Sequence, residues 1–471
     1  MMLKDFIKKV KSGEIKLHKH IKKVIDKCKL IDKEFSYFNL ICEKEAIEQA
    51  KEIERKIKEG KPGKLSGLII SVKDNICVKD VESTAGSRIL KGYKPLFDAT
   101  VIEKLRKEDA IIIGKTSCDA FGFGSFNTNV GIGFSIPKHP FDKERVTGGS
   151  SGGSAGLTAI ADFVHVAIAE STGGSIENPA SFCGVIGFCP TYGRVSRFGL
   201  ISYANSLDKI GLMTKKVEDI APVLKVISGF DEKDGTSLKQ EINLKSKISE
   251  LRIGVIKESL EENIAPEVRK SFLKTIEKLR KKGFVCEEVS LPITFKYGVP
   301  TYYLISTSEA STNLSCLSGL RYGQEGDPVG KTFSEYFSEI RTKHFNDESK
   351  RRIMLGTFAR MAGYRDAFYI RATKIRTKII KEYKRLFEQY DVLISPTMPI
   401  IAPKISEVKK MSPLQNYMID VLTVGPNLTG MPHATIPIES EKELPIGLMA
   451  TTDHLNEGVL LQFLKIIEDL Q

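Results

Sequence analysis

From residue 64 onward the chain alternates short unbroken apolar runs with amphipathic helical stretches, and few architectures accommodate that order. LSGLIISV (65–72) reads as a strand buried on both faces, DATVIEKLRKEDA (98–110) as a helix and IIIGK (111–115) as the next strand. SAGLTAIA (154–161) and FVHVAIA (163–169) repeat the pairing as helix and strand. LRIGVI, APEVRKSFLKTIEKLRKKG and FVCEEVSL repeat it again from 251 to 291. Strands without polar alternation, joined through helices, imply a largely parallel sheet covered on both faces, the α/β class. Residues 2 to about 60 show apolar positions three and four apart and read as helices, with Gly60 and Pro62 as the stop. A polar, loop-like stretch runs through 228–252, a long helical region through about 300–390, and DVLISPT (391–397) and a glycine-rich tail close the chain. With no internal repeat and no low-complexity linker, the reading is a helical segment 1–60 packed on a single large domain, 61–471.

The formal net charge is +12, but the lysines are spread over helix faces, and no nucleic-acid motif or aromatic-interleaved basic stretch accompanies them. Direct base reading is not expected; work beside RNA is left open. No apolar run approaches the length that spans a bilayer, and the charged start MMLKDFIKKV lacks the apolar core of a secretory signal. The eight cysteines are scattered, and Cys183 and Cys189, the closest pair, have neither redox nor zinc spacing. Reduced thiols in a cytoplasmic protein, and no metal, are the expectation.

Three short segments carry chemistry. In SVKDN (71–75), Lys73 ends an apolar strand, where α/β proteins place their sites. The bland alternative is a lysine snorkelling from a strand end; the functional one is an amine that desolvation makes available as a base. GGSSGGS (148–154) holds four glycines and three serines and cannot be an element interior. It lacks the Gly-Lys-Ser/Thr ending of a phosphate loop. It fits the nucleophile-elbow pattern, but the charged, Pro-containing PKHPFDKERVT precedes it rather than a buried strand. STGGS (171–175) does follow such a strand. The amide groups of Thr172, Gly173 and Gly174 can there form an oxyanion hole, with Ser175 attacking from the same turn. Of the seven histidines, His18, His20, His139, His165, His344, His433 and His454, none lies in a motif-like setting, so a lysine base fits better than a Ser-His-Asp triad.

Taken in this order, the segments resemble the amidase signature family: a strand-end lysine before Asp-Asn, then GGSSGGS, then a Thr-Gly-Gly-Ser turn. The resemblance implies one large domain with a mixed sheet wrapped by helices. It also implies Ser175 as nucleophile, Ser150, preceded by a cis peptide, as proton relay, and Lys73 as base. Outside that core, Pro190–Gly211, Ser308–Gly323 and Arg351–Thr377 resemble the A subunits of glutamyl/aspartyl-tRNA amidotransferases. That implies hydrolysis of glutamine to ammonia for amidating glutamate or aspartate misacylated on tRNA. It implies a heterotrimer with a kinase-like, tRNA-binding B subunit, plus a small C subunit. ATP and Mg would be used by the partner, with no cofactor in this chain. Glutamine carries a carboxylate and an ammonium, and motif matching assigns these to Arg352 and Asp420, with Tyr302 beside them; Arg suits bidentate carboxylate binding.

The sequence departs from the family pattern near the site. Ser171 stands where an Asp usually precedes the turn, Glu177 where an Arg usually follows the nucleophile, and Cys189 replaces a Lys. Gly124-Ser125-Phe126 stands at the usual GSS turn, and the connection between the serine motifs is one residue longer. A carboxylate at 177 is expected to oppose proton loss from Lys73 and to weaken activity. The alternatives are a stand-alone amidase on other amides, which would not need Arg352 or Asp420, and a catalytically weakened scaffold subunit.

Overall fold

The computed structural model describes residues 2–246, 250–261, 264–441 and 443–471; the end of the polar stretch at 247–249 lies outside them. Eleven strands form one sheet in the order β1-β3-β2-β4-β6-β5-β10-β11-β9-β7-β8. They are β1 (Phe38–Ile41), β2 (Ile69–Lys73), β3 (Ile111–Thr116), β4 (His165–Ser171), β5 (Ile186–Cys189) and β6 (Lys209–Thr214). The remainder are β7 (Arg252–Ile256), β8 (Val285–Val289), β9 (Val392–Pro396), β10 (His433–Ile438) and β11 (Ile446–Thr451). The α/β class and the mixed sheet are as the sequence implied. Parallel ladders are confined to β3-β2-β4 and β9-β7-β8, the stretches where strand–helix alternation is plainest. The middle of the sheet, β4-β6-β5-β10-β11-β9, is antiparallel.

Successive side chains of these strands enter opposite cores, so both faces are buried. Ile70, Val72, Ile112, Val166, Ile168 and Leu212 pack on one face with the helices carrying Leu105, Leu224 and Leu464. Ile69, Ile111 and Ile113 pack on the other, under the N-terminal helices through Phe6, Leu17, Ile21 and Ile25. Full burial of one such side chain stabilises by about 1.5–3 kcal/mol. The N-terminal segment is not only helical. Its β1 pairs antiparallel with β3 and extends the main sheet. At four residues, FNLI is too short to show a period of two. β5, β6, β10 and β11 also escape a reading of the sequence, because buried central strands have no polar alternation and these four are interrupted by glycine or proline.

One feature of the sheet positions the site. Over β4, β5 and β6 the covering face is built from small side chains, Ala167, Ala169 and Cys189, which meet Ala155, Ile176 and Ala180. Small side chains let helices Gly152–Ile160 and Glu177–Cys183 lie close to the strands. A Cβ on Gly211 would stand 2.3 Å from the Phe188 carbonyl oxygen and 2.9 Å from Ile176. The loops that enter these two helices carry Ser150 and Ser175, so both serines arrive at the same sheet edge.

Candidate active site

Lys73 ends β2, and the parallel register with β4 (Val72 opposite Ile168) brings it beside Glu170 at the carboxyl edge. Its side chain is fully buried. The Nζ atom lies 2.7 Å from Ser150 Oγ, 2.8 Å from Glu170 Oε2 and 3.0 Å from the Glu170 carbonyl oxygen. Asn75 Nδ2 donates to the same Oε2 at 3.0 Å, and Thr172 Oγ1 donates to Glu170 Oε1 at 2.6 Å. Thr172 Oγ1 is also 2.8 Å from Asp208 Oδ1, where burial and the neighbouring Glu170 raise the Asp208 carboxyl to about 8.

The Gly149–Ser150 peptide is cis. Glycine is required at 149 because a Cβ there would stand 2.3 Å from Asp119 Oδ2 and 2.4 Å from the Asn127 amide nitrogen. The Asp119 carboxylate anchors this wall by accepting the amides of Asn127 and Asn129, and burial raises it to about 6. Ser150 and Ser175 come from turns joined by the Ser151 amide, which donates to the Ser175 carbonyl at 3.2 Å. Among the described residues no hydrogen bond links the two hydroxyls, and no histidine bonds either one. The amides of Thr172, Gly173, Gly174 and Ser175 donate to no acceptor among the described residues, which leaves them available to an oxyanion. Gly173 lies against the Tyr302 ring, where a Cβ would meet Cζ at 2.3 Å, and Gly174 has φ +152°.

Tyr302, Arg352 and Asp420 line one narrow cleft with Gly122, Gly173, Gly174, Ser175 and Asn178. Its free volume, about 10 Å³, is room for roughly one water. A wider cleft of about 170 Å³ adjoins it through Gly124, Ser125 and Arg352 and leads outward past Glu348, Arg351 and Tyr417. Arg352 is buried, donates to Glu348 Oε1 at 2.7 Å and to Tyr203 Oη at 2.7 Å, and is ringed by Phe123, Tyr203, Tyr303 and Tyr417. Asp420 accepts from Ser125, Asn178 and Tyr303 at 2.8–2.9 Å; burial pushes its carboxyl up despite these donors. A larger cavity, about 550 Å³, lies elsewhere, between Asp32, Asn39, Asp74, Arg88 and Phe134. It reaches the catalytic edge only through Asp74, and no serine of the two motifs lines it.

The charge at Glu177 behaves differently from the expectation. Its carboxylate does not face Lys73. It accepts from Ser171 Oγ at 2.8 Å and pairs with His433 Nε2 at 2.5 Å, and all three side chains are buried. Burial alone would raise Glu177, but His433 holds it well below the usual carboxylate range. Cys189, directly opposite His433 in the β5–β10 ladder, completes a buried Glu-Cys-His group. Glu177 and His433 meet directly within this group. Lys209, buried nearby, donates to Asn427 Oδ1 at 2.7 Å, and burial lowers its amine from the usual range. The carboxylate that does reach Lys73 is Glu170, which nothing in the sequence sets apart from the rest of its strand.

Tyr203, Tyr303, Glu348, Asn178 and Ser125 also line or support the site without a sequence signal. Asn178 follows the Ser175 turn directly, and the other four come from distant segments.

An amidase family model matches residues 19–461. The second A subunit of the Clostridium acetobutylicum glutamyl-tRNA(Gln) amidotransferase is 44% identical over 456 residues, 95% of this chain and 94% of that one. The A subunit of the Archaeoglobus fulgidus glutamyl-tRNA(Gln) amidotransferase is 44% identical, covering 90% of each chain. The crystal structure of the Thermotoga maritima A subunit superposes with a TM-score of 0.78 at 33% identity, covering 95% of this chain and 91% of that one. A bacterial aryl acylamidase, at 23% identity and a TM-score of 0.86, shares the fold.

Proposed function

The chain belongs to the amidase family, and from that premise we propose that it is the glutamine-hydrolysing subunit of a tRNA-dependent amidotransferase. The observation that carries the reading is the 2.7 Å contact of Lys73 Nζ with Ser150 Oγ, next to a cleft shared by Ser175, Tyr302, Arg352 and Asp420. In this reading Lys73 draws the Ser175 proton through the Ser150 hydroxyl. Ser175 Oγ attacks the glutamine side-chain carbonyl, and the amides of Thr172, Gly173 and Gly174 hold the oxyanion. Collapse returns the proton through Ser150 to the leaving nitrogen and releases ammonia. Water then hydrolyses the acyl-enzyme by the same relay. Arg352 takes the carboxylate of glutamine and Asp420 its ammonium, with the Tyr302 ring alongside. Glu348 and Ser125, which hold those two side chains here, exchange places with the substrate as the cleft widens.

The partners in this reading are a kinase-like, tRNA-binding subunit that uses ATP and Mg, and a small third subunit. The ammonia amidates glutamate or aspartate misacylated on tRNA, in the cytoplasm. Among the described residues no helix is long and apolar enough to cross a membrane.

The test uses the chain purified with whatever proteins accompany it. Ser175→Ala should abolish glutamine hydrolysis while the assembly stays intact. A serine-directed phosphonofluoridate should label the wild type at Ser175. Full activity in Ser175→Ala overturns the reading. Hydrolysis of simple aryl amides by the isolated chain, with no glutamine turnover, would point to a stand-alone amidase.

A further inference from the structure

We infer that Glu170 is a positioning residue for Lys73, aiming the amine at Ser150 and setting the pH range of the reaction. The role presupposes the glutamine-hydrolysing reaction proposed above. A neutral amine has two N–H donors and one lone pair. Glu170 supplies two acceptors, its carbonyl oxygen at 3.0 Å and its Oε2 at 2.8 Å, and the third neighbour of Nζ is Ser150 Oγ at 2.7 Å. With both N–H groups on Glu170, the lone pair points at the hydroxyl whose proton it must take. One residue thus fixes the orientation of the base through its main chain and its side chain together.

The side chain brings charge as well as geometry. Glu170 Oε2 stands 2.8 Å from Lys73 Nζ with both side chains buried, and in the inferred role this contact acts as a carboxylate does on an adjacent amine, favouring its charged form. The ammonium donates to Ser150 and cannot accept its proton. Catalysis must therefore wait for a higher pH than a neutral acceptor at 170 would require.

The surrounding groups hold Glu170 in this role. Asn75 and Thr172 donate to its two oxygens. Asp208, across Thr172, is raised to about 8 by burial and by Glu170. Lys209 also bears on Glu170 electrostatically, and Asp119, raised to about 6, faces Lys73 from the Ser150 side. No bond to carbon forms or breaks at Glu170. A proton leaves Ser150 for Nζ in the attack and returns to the departing nitrogen.

The experiment measures kcat/KM for glutamine against pH in the assembled protein. Glu170→Gln keeps an acceptor and removes the charge. It should move the acid limb toward lower pH by about 1 unit or more. Glu170→Ala, which removes the side-chain acceptor, should lower the plateau, and Glu170→Asp should keep the limb near the wild-type position. Asp119→Asn serves as the control for the other carboxylate near Lys73. Labelling of Ser175 by phosphonofluoridate against pH gives a second readout of the same limb. For variants that do not fold, the wild-type nitrogen-15 resonance of Lys73, followed against pH, decides whether an ammonium persists through the inactive range. A Glu170→Gln limb that coincides with wild type, or a neutral amine throughout the inactive range, overturns the inference. Activity surviving in Ser175→Ala overturns instead the functional reading on which it rests.

Discussion

Glu177 and His433 form a fully buried, directly bonded pair, Oε1 to Nε2 2.5 Å, across 256 residues of sequence. Glu177 opens the helix that follows the Ser175 turn, and His433 opens β10. The Met431 carbonyl accepts the proton on His433 Nδ1 at 2.8 Å, which turns Nε2 toward the carboxylate. The pair thus ties the nucleophile turn to the centre of the sheet. Replacing His433 with Ala leaves a buried carboxylate without its hydrogen-bond partner and should cost about 1–3 kcal/mol of stability. Glu177→Gln combined with His433→Ala should recover part of that loss. Chemical denaturation of the three variants checks both expectations, and additive losses would mean that the two groups do not act as a pair.

Gly173 has no room for a side chain. A methyl group there would meet the Tyr302 ring at 2.3 Å, and only movement of the ring or of the turn can relieve it. Either movement shifts the oxyanion donors relative to Ser175. Gly173→Ala should lower kcat/KM for glutamine by about 100-fold, with little change in melting temperature. Tyr302→Ala in the same background should restore part of kcat if the ring is what the methyl strikes.

Arg352 sits in an aromatic cage and carries two hydrogen bonds at 2.7 Å, to Glu348 and Tyr203. Lysine keeps the charge but not the planar fork. Arg352→Lys should reduce kcat/KM for glutamine by about 10–100-fold, the loss of one charge-assisted hydrogen bond. The loss should fall mainly in KM if Arg352 binds the carboxylate in ground state and transition state alike. An unchanged KM would remove Arg352 from the substrate site.

Asp208 titrates near 8 in the folded chain, raised from 3.8 by burial and by Glu170. Between those values the folded state holds a proton that the unfolded chain has released, so this group's contribution is complete below about 4 and declines as pH rises toward 8. Asp208→Asn carries no such proton. Its melting temperature relative to wild type should therefore climb as pH is raised from 5 to about 8. Parallel melting curves across that range would show that Asp208 is not held protonated.

The motifs are legible because each is local. Lys73 at a strand end, the glycine–serine loop and the Thr-Gly-Gly-Ser turn are contiguous in the chain, and their glycines answer to close approaches within a few ångströms. The parallel wings of the sheet are legible for the same reason: strand, helix and strand follow one another directly. The antiparallel centre is not. β5 pairs with β10 and β4 with β6 across connections with no periodic signature, and β10 and β11 lie in what reads as a glycine-rich tail. Ser171 and Glu177 read as isolated departures, and Glu177 as one that would burden Lys73, because nothing near them in sequence announces His433 as a partner.

By itself, the sequence determined the α/β class and the family resemblance and marked out the Lys73, Ser150 and Ser175 motifs, since these rest on residue identity and short-range spacing. Tertiary structure alone decided which charge neutralises which. Electrostatic pairing in a buried site depends on distances of a few ångströms between side chains hundreds of residues apart. The folded chain sets Glu177 against His433 and Glu170 against Lys73.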